Sequence, residues 1–236
     1  MNRTKIKHMA MIDLIGALTL ERPLNEEEYS IIRSFSRSTD WRVRMAAAEN
    51  LGVVTGPKEN VKLLKRLIND VNPMVRAQAI ASMGERGGKD CIPALQKKAG
   101  SKNYIIRGYA GAAAASIARR EGVDAEGLKA WLRGLIETEE TEWVKINHHL
   151  SLFILGEKEA LPKLMDGLKS EDARVVKAAA SCLDRCIELE PSIEADIKDY
   201  MQKNFTAGTA EYNSMMAEVM EDELADMLAE EMNKLK

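Results

Sequence analysis

The side chains able to do chemistry are few, and their spacing constrains them. His148 and His149 are adjacent, so on a helix their rings diverge by about 100° and cannot close on one metal without outside ligands. His8 is the only other histidine. Cys182 and Cys186 are four residues apart and would share a helical face, where two thiols could chelate or be oxidised together. With no further Cys or His near them, the expected reading is a pair of small thiols filling a core. Cys91 completes no even-numbered framework, which suits a reducing compartment. The sequence has no G-x-S-x-G, no Walker A and no G-x-G-x-x-G, and GGKD at 87–90 reads as a turn. Nothing prepares a nucleophile or cradles a phosphate. The expectation is a protein that is not an enzyme and has no catalytic residue, no metal and no cofactor.

The charge pattern says more about partners. The net charge of −3 conceals two opposite blocks. Residues 57–120 carry thirteen Lys or Arg against four acids, and residues 211–236 carry eight acids against Lys234 and Lys236. Such patches bear on association rather than on fold. At the N-terminus, basic residues precede an apolar stretch, but Asp13 interrupts it and no small-x-small site follows before Glu21. A signal peptide is not expected on that pattern. No apolar run approaches the ~18 residues needed to cross a bilayer. A cytoplasmic protein without membrane partners is expected.

An internal repeat must position whatever these residues do. DWRVRMAAAENLG (40–52), NPMVRAQAIASMG (72–84) and NYIIRGYAGAAAA (103–115) align, with Arg44, Arg76 and Arg107 in one slot. A fourth copy, TEWVKINHHLSLF (141–153), has Lys145 there, and a fifth, DARVVKAAASCLD (172–184), has Val176. Asp40, Asn72, Asn103 and Asp172 stand just before helical runs and read as N-caps. Ala47, Ala79, Ala110 and Ala179 follow the slot by three and permit close helix approach, with His148 in their place in the fourth copy. Leu51, Met83, Leu152 and Leu183 fill the core one turn on. Fifteen and twelve residues before the slot stand Tyr29 and Ile32, Val61 and Leu64, Ile92 and Leu95, then Leu161 and Leu164. Pro93 and Pro162 fit helix starts. Each unit is thus two antiparallel helices.

The D/N-x-x-V/I-R-x-x-A pattern at intervals near thirty resembles the HEAT repeats of the class also found in phycobilin lyases. The resemblance covers residues 25–190. It implies an all-α superhelix, an armadillo-like solenoid of five two-helix repeats, forming a single domain over 1–236. Residues 1–24 would cap one end and residues 191–236 the other, since terminal repeats need cover. It also implies an inter-repeat ionic ladder drawn from Asp40, Arg44, Asn72, Arg76, Asn103, Arg107, Lys145 and Asp172. Thr141 and Val176 depart from its pattern. On this reading Arg76 is partly buried between repeats, whereas Arg86 sits in a turn. A HEAT-like metal hydroxylase of the deoxyhypusine kind would carry repeated His-Glu pairs, which are absent.

Trp41 and Tyr104 occupy one repeat position, and Trp143 lies one later in its copy. With Arg42 they are candidate partner-binding residues, because aromatic and Arg side chains anchor interfaces. The alternative is that each ring packs on its own helix. The expected function is a protein-interaction scaffold, binding an acidic segment of another protein across 57–120. The basic segment and rings also suit nucleic acid, as in HEAT-like DNA alkylation-repair glycosylases. A bilin lyase is suggested only by the repeat resemblance. A monomer is expected. Met216, Met220, Leu224, Met227, Leu228, Met232 and Leu235 mark an acidic amphipathic helix, either a cap on the fifth unit or a segment docking on another copy.

Overall fold

The computed structural model describes residues 26–53 and 58–205. Both expected terminal caps fall largely outside these residues: the helix at 4–20 and the acidic stripe at 211–236 lie wholly there. The described residues are helical hairpins joined by short turns, with no strand among them. They form two compact units divided between Val123 and Asp124.

The first unit holds three hairpins: α1 (Glu26–Phe35) with α2 (Trp41–Val53), α3 (Lys58–Leu67) with α4 (Pro73–Arg86), and α5 (Ile92–Lys98) with α6 (Tyr104–Glu121). The second helices stack in order, α2 on α4 and α4 on α6. Small residues make that approach possible: Ala47, Ala79 and Ala110 are all buried. A Cβ on Gly52 would stand 2.6 Å from Ser82 Oγ, and one on Gly84 would stand 2.9 Å from the Cα of Ala113. Ile32, Leu64 and Leu95 from the first helices and Leu51 and Met83 from the second close the core at 0% exposure. This is the in-register set that the sequence pattern singles out.

The helix starts follow from local chemistry. Asp40 Oδ1 accepts the amide hydrogen of Arg42 (2.9 Å), Asn72 Oδ1 that of Met74 (2.8 Å), and Asn103 Oδ1 that of Ile105 (3.0 Å). Each satisfies a first-turn donor that has no intrahelical partner. Pro93 stands at the start of α5, where a missing amide hydrogen costs nothing.

The second unit holds α7 (Glu126–Thr138) with α8 (Glu142–Ile154) and α9 (Leu161–Gly167) with α10 (Ala173–Leu189), followed by α11 (Glu194–Asn204). Asp172 caps α10 through the Arg174 amide (2.9 Å), and Pro162 begins α9. His148 replaces the small alanine on α8 and is buried. The long interval before Lys145 has a structural cause. Helix α6 runs on to Glu121 and ends on Gly122 in the left-handed region (φ 61°). Helix α7 then buries Leu128 and Leu132, seventeen and thirteen residues before Lys145 instead of fifteen and twelve.

Candidate partner-binding surface

The arginine slot does two things, and the first is local. Arg44 Nη1 donates to the carbonyls of Ser38 (2.8 Å) and Thr39 (3.2 Å), in its own hairpin turn. Arg76 Nη1 does the same at Asp70 (2.8 Å) and Val71 (3.0 Å), and Arg107 Nη1 at Ser101 (3.0 Å) and Lys102 (3.2 Å). One guanidinium edge therefore satisfies turn carbonyls that no helix can pair.

The second role joins neighbouring repeats. Arg44 Nε and Nη2 donate to Asp70 Oδ2 (2.7 Å) and Oδ1 (2.8 Å), a bidentate pair with side chains 12% and 9% exposed. The hydrogen bonds from Arg44 hold the Asp70 carboxyl below its usual range, against the opposing effect of burial. The acid in this rung is Asp70, two residues before the cap. The cap residues Asp40, Asn72, Asn103 and Asp172 bond helix amides instead, and Asp172 also pairs with Arg174 of its own helix start. Val176 fills the slot in α10 as a buried apolar residue.

A second set of clasps has no counterpart in the repeat pattern. Arg86 Nε donates to the Gly52 carbonyl (2.7 Å) and its Nη2 to that of Val53. Arg120 Nη1 donates to the Gly84 carbonyl (2.7 Å) and its Nη2 to that of Gly87. Each reaches back to the C-terminal carbonyls of the preceding second helix. The expected place of Arg86 in a turn is therefore corrected. It ends α4 and holds α2, so its loss should cost as much as that of Arg76.

Basic side chains crowd the hairpin turns of the first unit. Arg66 Nη2 donates to the Ser36 carbonyl and hydroxyl, both at 2.7 Å. Burial first, then the Arg37 charge, lowers its pKa, while Asp70 opposes the shift. Lys98 Nζ donates to Asn69 Oδ1 (2.8 Å). Burial first, then Arg76 and Lys97, lowers the pKa of Lys98, and no carboxylate opposes them.

The aromatic candidates separate. Arg42 lies over the Trp41 ring, 5.1 Å from its centroid, so these two form one cation–π pair. The equivalent position in the second hairpin is Pro73, which leaves Tyr104 two repeats away from Trp41. Trp143 belongs to the second unit, where its carbonyl accepts from Asn147 Nδ2 (2.8 Å). All three rings are half-buried, as packing residues are.

Among the described residues no group of three or more His, Cys, Asp or Glu side chains could hold a metal. Burial pushes the thiols of Cys91, Cys182 and Cys186 upward, Cys186 to about 12. All three are buried. Because the thiolate is the reactive form, iodoacetamide at about pH 8 should leave them unmodified in the native protein and label them in denaturant. Rapid labelling of the folded protein would show that these side chains are not core. Burial, with the Lys163 charge second, lowers the pKa of His149, and Glu157 opposes them.

Stacked helical hairpins, with small residues between successive second helices and an arginine holding each turn of the first unit, define an α-helical repeat protein. Residues 30–115 match the family model described as HEAT repeats. Over that span, which runs from α1 into α6, the chain carries repeats similar to HEAT repeats. No curated protein matches the sequence. No helix among the described residues is long and apolar enough to cross a membrane.

Proposed function

We propose that this chain is a non-catalytic scaffold for protein interaction, whose basic repeats hold an acidic segment of a partner protein in a cytoplasmic setting. One observation carries the reading. In the first unit cations are gathered at successive hairpin turns, with Arg66 beside Arg37 and Lys98 beside Arg76 and Lys97. Like charges brought this close raise each other's free energy, and an arriving anion relieves it. Repeat folds present such residues at regular intervals along an extended surface.

The test is the salt dependence of binding to two probes. A fluorescein-labelled oligoglutamate peptide should bind the full-length protein in low salt and weaken as salt rises, while a generic DNA duplex of similar charge should bind more weakly. Tighter binding of the duplex, with a steep salt slope, would replace the protein-scaffold reading with a nucleic-acid one.

A further inference from the structure

All five hairpin turns share a position six residues before the slot, and it always supplies a side-chain oxygen to the cap residue's amide. Ser38 accepts from Asp40 (3.2 Å), Asp70 from Asn72 (2.9 Å), Ser101 from Asn103 (3.2 Å), Glu139 from Thr141 (2.9 Å) and Ser170 from Asp172 (3.3 Å). For that bond a hydroxyl and a carboxylate oxygen are interchangeable. They differ in what is left over. A carboxylate keeps a negative charge and a second oxygen to offer the preceding repeat, whereas a serine offers neither.

The second and third hairpin turns of the first unit show the difference. Around Asp70, the Arg44 fork donates through Nε and Nη2, and the Arg66 charge lies near enough for Asp70 to favour its protonated form. With Arg76, whose charge also lowers the Asp70 pKa, that is three cations about one acid. One repeat later the cations recur: Arg76 holds its turn through Nη1 as Arg44 does, and Lys98, one residue past Lys97, which is in register with Arg66, is tied to Asn69. Ser101 stands where the acid should be. Among the described residues no acceptor receives a hydrogen bond from Arg76 Nε or Nη2, and no carboxylate forms an ion pair with Arg76 or Lys98; Asp70, whose pKa the Arg76 charge also lowers, is already held by the Arg44 fork. In the second unit the corresponding serine, Ser170, bonds Glu142 (2.9 Å), so a local acid already reaches that turn.

We propose that the place beside Ser101, bounded by the Arg76 fork and the Lys98 ammonium, is a binding site for an aspartate or glutamate side chain of a partner protein. The inference rests on the scaffold reading above and gives it an address. The ligand is identified by what fills the same place one repeat earlier, a carboxylate received on two parallel N–H donors. The turn held by Arg76 also displays Val71 at 89% exposure, with Met74 at 44% beyond it. An apolar pair beside a carboxylate site suits a peptide better than a phosphodiester backbone.

Three full-length variants test this with the oligoglutamate peptide, read by fluorescence anisotropy and melting temperature. Ser101→Asp supplies the missing carboxylate from within the chain, so it should melt higher than the wild type and bind the peptide about tenfold or more weakly. Ser101→Asn keeps the acceptor for Asn103 without the charge and should bind as the wild type does. Arg76→Gln should lose binding to a similar extent as Ser101→Asp. If all three variants retain wild-type affinity, the site is wrong while the scaffold reading stands. If the wild type itself binds no peptide in low salt, both are wrong. If Ser101→Asp weakens duplex binding but leaves peptide binding intact, the occupant is a phosphate and the assignment to a partner's acid is overturned. The same assignment fails if the wild type self-associates in low salt and Ser101→Asp abolishes it, since the occupant would then be a second copy of the chain.

Discussion

Replacing Asp70 by alanine is expected to destabilise the protein by about 2 to 4 kcal/mol, between the values for exposed and for buried ion pairs. Three contacts disappear together: both bonds from the Arg44 fork and the bond from the Asn72 amide. The guanidinium left behind is only 12% exposed, so water can restore little of what it loses. Asp70→Asn should recover the Asn72 contact but not the charge, and should fall between the two. The pH dependence has a definite sign. Because the folded-state pKa of Asp70 is depressed, its contribution is fully present above its unfolded value, near 4, and is lost as pH falls through the folded pKa. Urea denaturation at neutral and acidic pH measures this. Near pH 3 the gap between wild type and Asp70→Asn should narrow. A Ser101→Ala control removes only a neutral turn contact. If Asp70→Ala loses no more stability than that control, the rung carries no weight.

Gly84→Ala is expected to cost about 1 to 3 kcal/mol, although alanine is the better helix former. The added methyl would meet Ala113 at 2.9 Å from its Cα and 3.1 Å from its Cβ. The nearer atom is backbone and cannot rotate away, so α4 and α6 must separate along a contact lined by fully buried side chains. Arg120 would also have to follow the displaced Gly84 carbonyl. Gly134 is the control, lying inside α7 with nothing within 4 Å of its would-be Cβ. There alanine should stabilise by up to about 1 kcal/mol through helix propensity alone. Opposite signs for one chemical change at two helical glycines, read by thermal melting, is the expected outcome. Equal effects would mean that α4 and α6 do not approach closely.

The hairpins and most of their caps were legible because short-range chemistry writes them into most copies, Thr141, His148 and Val176 being the departures. An Asp or Asn before four of the five runs, the base slot and the alanine three residues later recur at intervals near thirty in the first three copies, and the structure uses them in that register. Asp70 was not legible. Its position holds Ser, Asp, Ser, Glu and Ser in turn, a mixture that looks like turn filler until hydrogen bonds reveal a common acceptor. Arg86 and Arg120 escaped for a different reason: they follow their slots by ten and thirteen residues, so no fixed period exposes them. The core of α7 was displaced from register by the extension of α6. A shared repeat position does not make neighbours of Trp41 and Tyr104, since Pro73 holds that position in the hairpin between them.

In the first unit every clasp between hairpins is supplied by the later one. Asp70 completes Arg44, Arg86 covers the carbonyls of Gly52 and Val53, and Arg120 those of Gly84 and Gly87. The dependence is one-way, and the ribosome delivers the chain in the same direction. A nascent first hairpin emerges with the Nε and Nη2 edge of Arg44 and its terminal carbonyls still hydrated; the first gains its protein partner when Asp70 has been made and the second when Arg86 has. Synthesis therefore tightens these repeats from behind, with each new hairpin locking the one before it.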